Sequence, residues 1–288
     1  MEGLQFFFMK KATLLLPFLF FACQGNETVV SETSIYKDEI DTLTQHQILL
    51  EENELMRKIA FEIEIDSLFL ANNLVDIQTV NKNIRVDVRY STRNNFVGIQ
   101  LYDTIKKIYL NRTVAERLSF CQEFLDSIRP GYSLLIYDGV RPLQVQKEMW
   151  DALDSIPVYR RGKFVSNPAR GSVHNYGAAV DLTLVDSLGN ILDMGAGYDD
   201  FNEIAFPSLE SRFLKSGELT TQQWENRKLL RKVMRKEGFR NIPSEWWHFN
   251  AYSRVISSRK FKRILDESGH ADWNKLEYPK KDTIGSTN

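Results

Sequence analysis

The sequence predicts an α+β fold, and the arrangement of its hydrophobic residues carries that prediction. Stretches of alternating apolar and polar residues, typical of strands, lie between stretches of helical periodicity. The two kinds of element follow one another without the regular strand–helix alternation of a parallel sheet. We expect the folded domain to cover 73–270.

The composition is that of a globular protein without a nucleic-acid surface. The 288 residues include 37 basic and 38 acidic side chains, and 43% of the residues are hydrophobic. This apolar fraction supports a core, in contrast to a disordered chain. The balanced charge lacks the basic stripe with which proteins bind nucleic acid. We therefore expect no nucleic-acid partner.

Residues 1–23 are predicted to be a signal peptide. Lys10 and Lys11 precede the apolar run 12–22, which is too short to span a bilayer as a mature helix. Cys23 follows, as in lipoprotein signals, where the cysteine becomes the lipidated first residue of the mature protein. This interpretation is favoured over a simple signal peptide with an incidental cysteine. We expect export to the bacterial cell envelope (the periplasm), with the lipid anchor as the only membrane contact.

Residues 24–72 are predicted to be a tether followed by a helical extension. The segment 24–36 is polar, and the segment 37–68 is rich in charge. Apolar residues recur in 37–68 at loosely helical spacing but without a sustained heptad, so we expect a short helix and not a coiled coil. This helix would either space the domain from the membrane or pack on the domain surface.

The first half of the domain is predicted to contain two strands and two helices. Residues 84–90 alternate between apolar and polar side chains, as a strand does. Residues 112–128 form an amphipathic helix that a Pro-Gly pair ends. Residues 134–137 are a short apolar run, typical of a buried strand. Pro142 opens the second helix, since its fixed φ suits the first helical position.

The second half adds two strands and one helix. Residues 178–185 alternate again, with Asp181 on the opposite face from the large apolar residues. A helix over 221–237 ends at a glycine. The inward face of this helix is predicted to carry Trp224, Leu230, Val233 and Met234. A strand over 246–249 follows, and 271–288 are predicted to be a polar tail.

Cys121 is the only cysteine besides Cys23, so lipidation of Cys23 would leave it without an intramolecular disulfide partner. It shares a face of the helix 112–128 with apolar residues at helical spacing. We therefore expect a core thiol and not a nucleophile.

Two segments of the domain each contain a histidine and a nearby acidic residue. His174 lies in a loop flanked by glycines, and Asp181 follows seven residues later in a largely apolar strand. Glu245 precedes His248 by three residues, with two tryptophans between them. A buried carboxylate is costly unless it is paired or coordinates a metal.

These four residues predict a catalytic zinc site with one Zn²⁺ per chain. Two imidazoles and one carboxylate, from His174, His248 and Asp181, leave the fourth position of a tetrahedral ion open. Glu245 would be the acid/base that deprotonates water. The alternative is that both histidines are separate polar residues with local partners, but the combined spacing favours the zinc site.

At these residues the chain resembles the zinc D-alanyl-D-alanine peptidases, and most closely the D-Ala-D-Ala dipeptidases. The resemblance extends from about Val75 to Phe249. Its motifs, in the family's order, are IRVDVRYSTRNNFVG, YDGVRP, SxHxxGxAxD with the strand AAVDLTL, DMG, and EWWH. The resemblance implies a hedgehog-like fold, in which a small central antiparallel sheet is flanked by helices and zinc lies in a cleft.

The resemblance also implies a catalytic role for Arg141. This arginine would stabilise the oxyanion that develops on the scissile carbonyl, because a fixed cation there lowers the barrier. The alternative is that Arg141 forms a surface ion pair with Asp138. Glu245 would pass the proton of the attacking water to the leaving amine.

Three substrate contacts are implied in the same way. Asp199 would bind the free ammonium of the dipeptide, with Asp200 as a close rival. Tyr90 would assist at the ammonium or belong to the core. Ser172 would help to hold the substrate carboxylate or cap its loop. The family's Ser-His pair in a short lid is absent from the longer segment 202–219, which leaves substrate enclosure open.

The implied activity is hydrolysis of the small dipeptide D-Ala-D-Ala to D-alanine in cell-wall metabolism. One alternative is a D,D-carboxypeptidase or endopeptidase that acts on peptidoglycan stem peptides. A second alternative is a binding module on the same fold, which the retained zinc ligands and Glu245 disfavour. The sequence leaves open the oligomeric state, and whether the dipeptidase recycles D-alanine or confers antibiotic resistance.

Overall fold

The computed structural model describes residues 32–274, with side chains from residue 44 onward. The predicted signal peptide, the lipidated Cys23 and most of the predicted tail 271–288 lie outside the described residues. The chain divides into two units, residues 1–56 and 57–288, and all described strands belong to the second unit. Across residues 32–274, no helix combines the length and the apolar character that a membrane span requires.

The described residues contain eight helices and nine short strands in mixed order. The helices are α1 (Glu32–Ala71), α2 (Ile77–Val80), α3 (Arg112–Ile128), α4 (Leu143–Ala152), α5 (Val158–Arg161), α6 (Glu210–Ser216), α7 (Thr221–Lys236) and α8 (Arg254–Lys260). The strands are β1 (Leu74–Asp76), β2 (Arg85–Val86), β3 (Tyr109–Asn111), β4 (Ser133–Asp138), β5 (Ala179–Val185), β6 (Arg240–Ile242), β7 (Glu245–Asn250), β8 (Arg263–Ile264) and β9 (Ala271–Asp272). Single 3-10 turns cover Arg89–Ser91, Val173–Tyr176, Glu203–Ala205 and Pro207–Leu209.

The central sheet has five strands in the order β2–β4–β5–β7–β6, which confirms the predicted α+β class. The four strands from β4 to β6 pair antiparallel, but the edge strand β2 runs parallel to β4. The prediction of a wholly antiparallel sheet is therefore wrong at this edge. Parallel neighbours need a crossover connection, and here the chain between β2 and β4 includes helix α3.

Three predicted elements differ from the structure. Residues 84–90 pair only at β2, because the chain then enters the 3-10 turn Arg89–Ser91. In place of the short helix predicted within 37–68, the 40-residue α1 covers the whole of that segment. Trp224 is not inward but half-buried, and the ammonium of Lys228 lies 4.0 Å from its ring centroid. A cation over an indole explains why this tryptophan tolerates partial exposure.

The other predicted helices and strands are present. Helix α3 matches the predicted range 112–128, and α7 ends just before Gly238, whose φ is +73°. Cys121 on α3 is fully buried, and burial raises its pKa to about 12, so it is a protonated core thiol as predicted.

The last turns of α1 belong to the second unit and pack on its core. Phe69 is fully buried and stacks on Tyr109, with 4.4 Å between ring centroids. Asp66 accepts a hydrogen bond from the Tyr109 hydroxyl and pairs with Lys107 at 2.8 Å. These contacts attach the end of the helix to the core just before β1.

Three neighbouring strands bring polar residues together in one row. Asp181 on β5 pairs with Asp138 on β4 and with His248 on β7. A register shift between Ile136 and Asp138 lets Asp138 stand beside Asp181. All seven residues of β5 are buried, so Asp181 lies inside the protein.

Candidate metal centre and active site

His174 is held by a capped 3-10 turn directly before β5. The Ser172 hydroxyl accepts a hydrogen bond from the His174 backbone N–H (3.3 Å). The Asn175 side chain accepts from the Ser172 backbone N–H (2.7 Å) and donates to the Arg141 carbonyl (2.7 Å). These reciprocal bonds fix the turn on the loop after β4, and His174 with it.

The structure brings His174, Asp181 and His248 together, as the sequence predicted. His174 Nε2 lies 3.1 Å from His248 Nδ1 and 3.4 Å from Asp181 Oδ1, and the last two atoms are 2.9 Å apart. A tetrahedral zinc ion with bonds of about 2.0–2.1 Å separates its ligand atoms by about 3.3–3.4 Å. The three atoms are therefore spaced like one face of a zinc tetrahedron.

The hydrogen bonds on the far side of each imidazole determine its tautomer. His174 Nδ1–H donates to the Gly139 carbonyl (2.7 Å), and His248 Nε2–H donates to Asn250 Oδ1 (3.0 Å). Both nitrogens that face Asp181 therefore carry a lone pair and no proton. Three hydrogen-bond acceptors that converge without a hydrogen-bond donor need a cation between them. The three ligand atoms therefore fit a zinc ion.

The charge state of Asp181 agrees with this site. Burial alone would raise the pKa of the Asp181 carboxyl, but without a metal the charge and hydrogen bonds of the two histidines, when they are protonated, outweigh burial and hold the pKa below its ordinary value. The buried carboxylate thus needs positive charge at this point, and a metal ion supplies it when the histidines are neutral. The second oxygen of Asp181 accepts from Arg141 Nη2 (3.3 Å) and from the Tyr198 hydroxyl (3.4 Å). One oxygen is thus oriented by the protein, and the other faces the histidines.

Glu245 begins β7, and its carboxylate reaches the same point. Glu245 Oε2 lies 4.0 Å from His248 Nδ1, and the side chain is 19% exposed. Burial raises the pKa of Glu245 to about 7. The nearby His248 lowers this pKa, and the negative charge of Asp181 raises it. A carboxyl with a pKa near neutrality can both accept and return a proton.

Arg141 forms an ion pair with Asp138, but the pair is buried and not on the surface. Asp138 Oδ2 accepts from Arg141 Nε (2.9 Å) and Nη2 (2.6 Å), and Asp138 Oδ1 accepts from the Tyr102 hydroxyl (2.7 Å). Asp138 is fully buried and Arg141 is 8% exposed. The guanidinium is therefore held beside the metal ligands with a fixed orientation.

Asp199 also faces the cleft, in a strained conformation. Its φ is +61°, a left-handed value that is uncommon for a residue other than glycine. Burial raises the pKa of its carboxyl to about 8, and the Asp181 charge adds to this. The Tyr90 hydroxyl lies 3.3 Å from both carboxylate oxygens and 3.1 Å from the Tyr198 hydroxyl.

Asp200 has a different role from its neighbour. Asp200 Oδ1 accepts from the backbone N–H (2.9 Å) and the side-chain amide (2.7 Å) of Asn202. It therefore stabilises the local turn, whereas Asp199 lines the cleft. Ser172 both caps its turn and lines the cleft, so its two predicted roles are compatible.

The cleft encloses about 360 Å³ and has an aromatic wall that the sequence did not predict. Phe201 packs edge-on against Phe96 and Phe164 (5.1 Å each) and lies 6.1 Å from Trp247. These residues come from separate loops and from β7, so no spacing in the sequence marks them. Asp138, Tyr102 and Tyr198 were likewise not predicted as site residues, although Asp138 and Tyr198 adjoin predicted ones.

The predicted lid segment 202–219 is folded away from the cleft. It forms two 3-10 turns and α6, and no residue of this segment lines the cleft in the described part of the chain. Glu210 on α6 is buried and accepts two hydrogen bonds of 2.7 Å from Arg231 on α7. A bidentate ion pair of this kind anchors the segment to α7.

The other two histidines lie elsewhere. His46 is exposed on α1, and His270 is exposed and bonded to Asp266 at 2.7 Å. Within the described residues, His174, Asp181 and His248 are the one His, Cys, Asp or Glu group with the spacing of metal ligands.

Comparisons with known proteins identify related sequences. The family model described as D-Ala-D-Ala dipeptidase, Peptidase_M15, matches residues 70–265. The D-alanyl-D-alanine dipeptidase of Escherichia coli is 32% identical over 179 residues, which cover 61% of this chain and 83% of the relative. Those of Synechocystis (59% and 80% covered) and Enterococcus faecalis (62% and 92%) are each 28% identical.

Among solved structures, a mutant of the vancomycin-resistance D,D-pentapeptidase VanY in complex with Zn(II) is similar. It has 15% identity and a TM-score of 0.28, and the match covers 54% of this chain and 79% of that one. This match is too weak to support a statement about the present chain. The family model alone covers more than half of the 288 residues. The chain therefore belongs to the D-Ala-D-Ala dipeptidase family, Peptidase_M15.

Proposed function

We propose that this protein is a zinc metallodipeptidase that hydrolyses D-alanyl-D-alanine to D-alanine. The observation that carries the proposal is the convergence of three acceptors, His174 Nε2, His248 Nδ1 and Asp181 Oδ1, within 3.4 Å of one another. Glu245, with a pKa of about 7, stands beside them. Membership of the D-Ala-D-Ala dipeptidase family supports the same activity.

The mechanism uses the side chains around this point. Zinc, when bound by His174, Asp181 and His248, supplies Lewis acidity that acidifies water and polarises a carbonyl. Glu245 takes the proton of the attacking water and later delivers it to the leaving amine nitrogen. Arg141 faces the negative charge that develops on the carbonyl oxygen, and its buried pairing with Asp138 preorganises it for that charge.

The two charged ends of a free dipeptide explain the other polar groups. Asp199, which Tyr90 supports, would bind the ammonium, and Ser172 would contact the carboxylate. An incoming ammonium favours the charged form of Asp199, which burial otherwise disfavours. A longer peptide has no ammonium at this position, so Asp199 would stay protonated and its attraction for the substrate would be lost.

The wider setting is proposed from the sequence. We propose a lipoprotein with residues 1–23 as signal peptide and Cys23 as lipidation site. The tether and extension would cover 24–72 and the hedgehog-like catalytic domain 73–270. The protein would act in cell-wall metabolism in the envelope. Retention of residues 1–22 on the mature protein, measured by mass spectrometry of the membrane fraction, would contradict the anchor.

The function is tested with purified zinc-loaded protein and D-Ala-D-Ala, by the release of D-alanine. We expect turnover that Glu245→Gln reduces by about a thousandfold or more, since the general base is lost. Zinc content should be unchanged in this variant, because Glu245 is not among the three ligands. Cleavage of a stem pentapeptide without cleavage of the dipeptide would instead identify a D,D-carboxypeptidase. Zinc binding with neither activity would indicate a binding module.

A further inference from the structure

The cleft is lined by two arginines that differ in their partners. Arg141 is committed to Asp138 and Asp181. Arg254, the first residue of α8, is exposed and lines the same cleft. In the described part of the chain, Arg254 has no carboxylate partner. Its charge is therefore available to a ligand.

Arg254 also lies on a different part of the lining from Asp199. Helix α8 packs against the 3-10 turn Val173–Tyr176, the turn that Ser172 caps. Burial raises the pKa of Tyr176 in this turn, and the charges of Arg263 and Arg254 oppose that rise. Asp199, by contrast, is bonded to Tyr90.

We infer that Arg254 binds the C-terminal carboxylate of the substrate and so selects peptides that end at this point. This inference rests on the proposed dipeptidase function. A zwitterionic dipeptide needs an anion for one end and a cation for the other. The Ser172 hydroxyl, already an acceptor for His174 N–H, can offer its single proton, but it carries no charge to balance the carboxylate. Arg254 supplies that charge and a planar pair of donors.

The experiment compares D-Ala-D-Ala with D-alanyl-D-alaninamide, which lacks the carboxylate. We expect Arg254→Gln to raise KM for the dipeptide about tenfold, with kcat changed by less than about threefold. KM for the amide should be equal in the wild type and in Arg254→Gln. Arg254→Lys should recover part of the dipeptide affinity. Arg259→Gln, which removes an arginine of the same helix outside the cleft lining, is the matched control.

Binding is also measured without turnover, by calorimetry with zinc-loaded Glu245→Gln, alone and combined with Arg254→Gln. A dipeptide Kd that the second substitution leaves unchanged would overturn the role of Arg254 while the dipeptidase function stands. An equal rise in KM for the dipeptide and for the amide in Arg254→Gln would also overturn this role, because the effect would not depend on the carboxylate. A wild-type protein that neither binds nor cleaves the dipeptide would overturn the proposed function, and the inference with it.

Discussion

At the residue scale, the cleft and the residues directly behind its lining hold more carboxylates than arginines. Asp138, Asp181, Asp199 and Glu245 are all at least partly buried, and among them Arg141 is the one arginine that pairs with a carboxylate. Burial is the main cause of the raised pKa values of Asp199 and Glu245, and the negative charge of Asp181 adds to both rises. The arrangement suits a site that receives two cations, a metal ion and a substrate ammonium.

Asp199 should destabilise the metal-free protein at neutral and higher pH. Its pKa is about 8 in the folded protein and about 3.8 when unfolded, so the folded state binds the extra proton between these values. The contribution of this group to the free energy of unfolding therefore falls as pH rises from about 4 to 8. Asn tolerates the left-handed φ and carries no charge. We expect the melting temperature of Asp199→Asn, relative to wild type, to be higher at pH 8 than at pH 5 by on the order of 10 °C.

The measurement is thermal unfolding of both proteins in chelator at the two pH values. A difference between variant and wild type that does not depend on pH would show that Asp199 is ionised throughout.

The buried pair of Asp138 and Arg141 should be far more sensitive than an exposed pair. Asp138→Asn leaves a buried guanidinium without its counter-charge, so we expect a loss of about 3–5 kcal/mol in the free energy of unfolding. Glu203→Gln removes the exposed partner of Arg212 and should cost less than about 1 kcal/mol. Denaturant unfolding of the two variants checks the contrast. Equal effects would mean that Arg141 finds another partner.

At the element scale, the turn from His174 into β5 depends on Gly177. Its φ is +59°, and a Cβ there would lie 2.5 Å from Leu74 Cδ2 and 2.9 Å from the Asn111 nitrogen. Leu74 is on β1 and Asn111 on β3, so the turn is pressed against the small two-stranded sheet. The position of one metal ligand therefore rests on the absence of a side chain.

Gly177→Ala should lower both stability and zinc affinity. We expect a loss of more than about 2 kcal/mol in unfolding free energy from strain and overlap. Zinc affinity should fall about tenfold or more, since the turn orients His174. Gly217→Ala, at φ +80° with nothing within 4 Å of the added Cβ, is the matched control and should leave zinc affinity unchanged. Equal zinc affinities in the two variants would contradict this role of the turn.

At the scale of the whole molecule, the metal site joins the turn before β5 to strands β5 and β7. Three acceptors brought together without a cation repel one another, so zinc should stabilise the fold. At a free zinc concentration of about a thousand times Kd, the gain is about 4 kcal/mol, or on the order of 10 °C in Tm. Chelation should remove this gain in wild type and in Glu245→Gln, whereas His248→Ala should lack it from the start. Calorimetric melting with and without chelator tests this expectation, and an unchanged wild-type Tm would contradict it.

Much of the fold was predictable because local patterns and tertiary packing agree. Helices α3 and α7 follow from their apolar stripes, and β5 follows from its alternation. The sequence could not predict that β2 pairs parallel to β4, since partner and direction depend on the crossover through α3. It also missed the turn that moves Tyr90 out of a regular strand, because alternation persists there without pairing.

The residues proposed for the site could be named from the sequence alone. His174, Asp181, His248 and Glu245 have the spacing of zinc ligands and a general base, and the chain matches a known family over 70–265. The spacings from His174 to Asp181 and from Glu245 to His248 are short, so they can be recognised in a single sequence without the fold.

Only the tertiary structure decided how these residues face one another. The β5–β7 register, the two imidazole tautomers and the burial of the Asp138–Arg141 pair all arise from contacts between distant segments. The same holds for the free charge of Arg254 in the cleft. Packing sets these features, because an acceptor or a cation becomes significant only when its neighbours leave it without a partner.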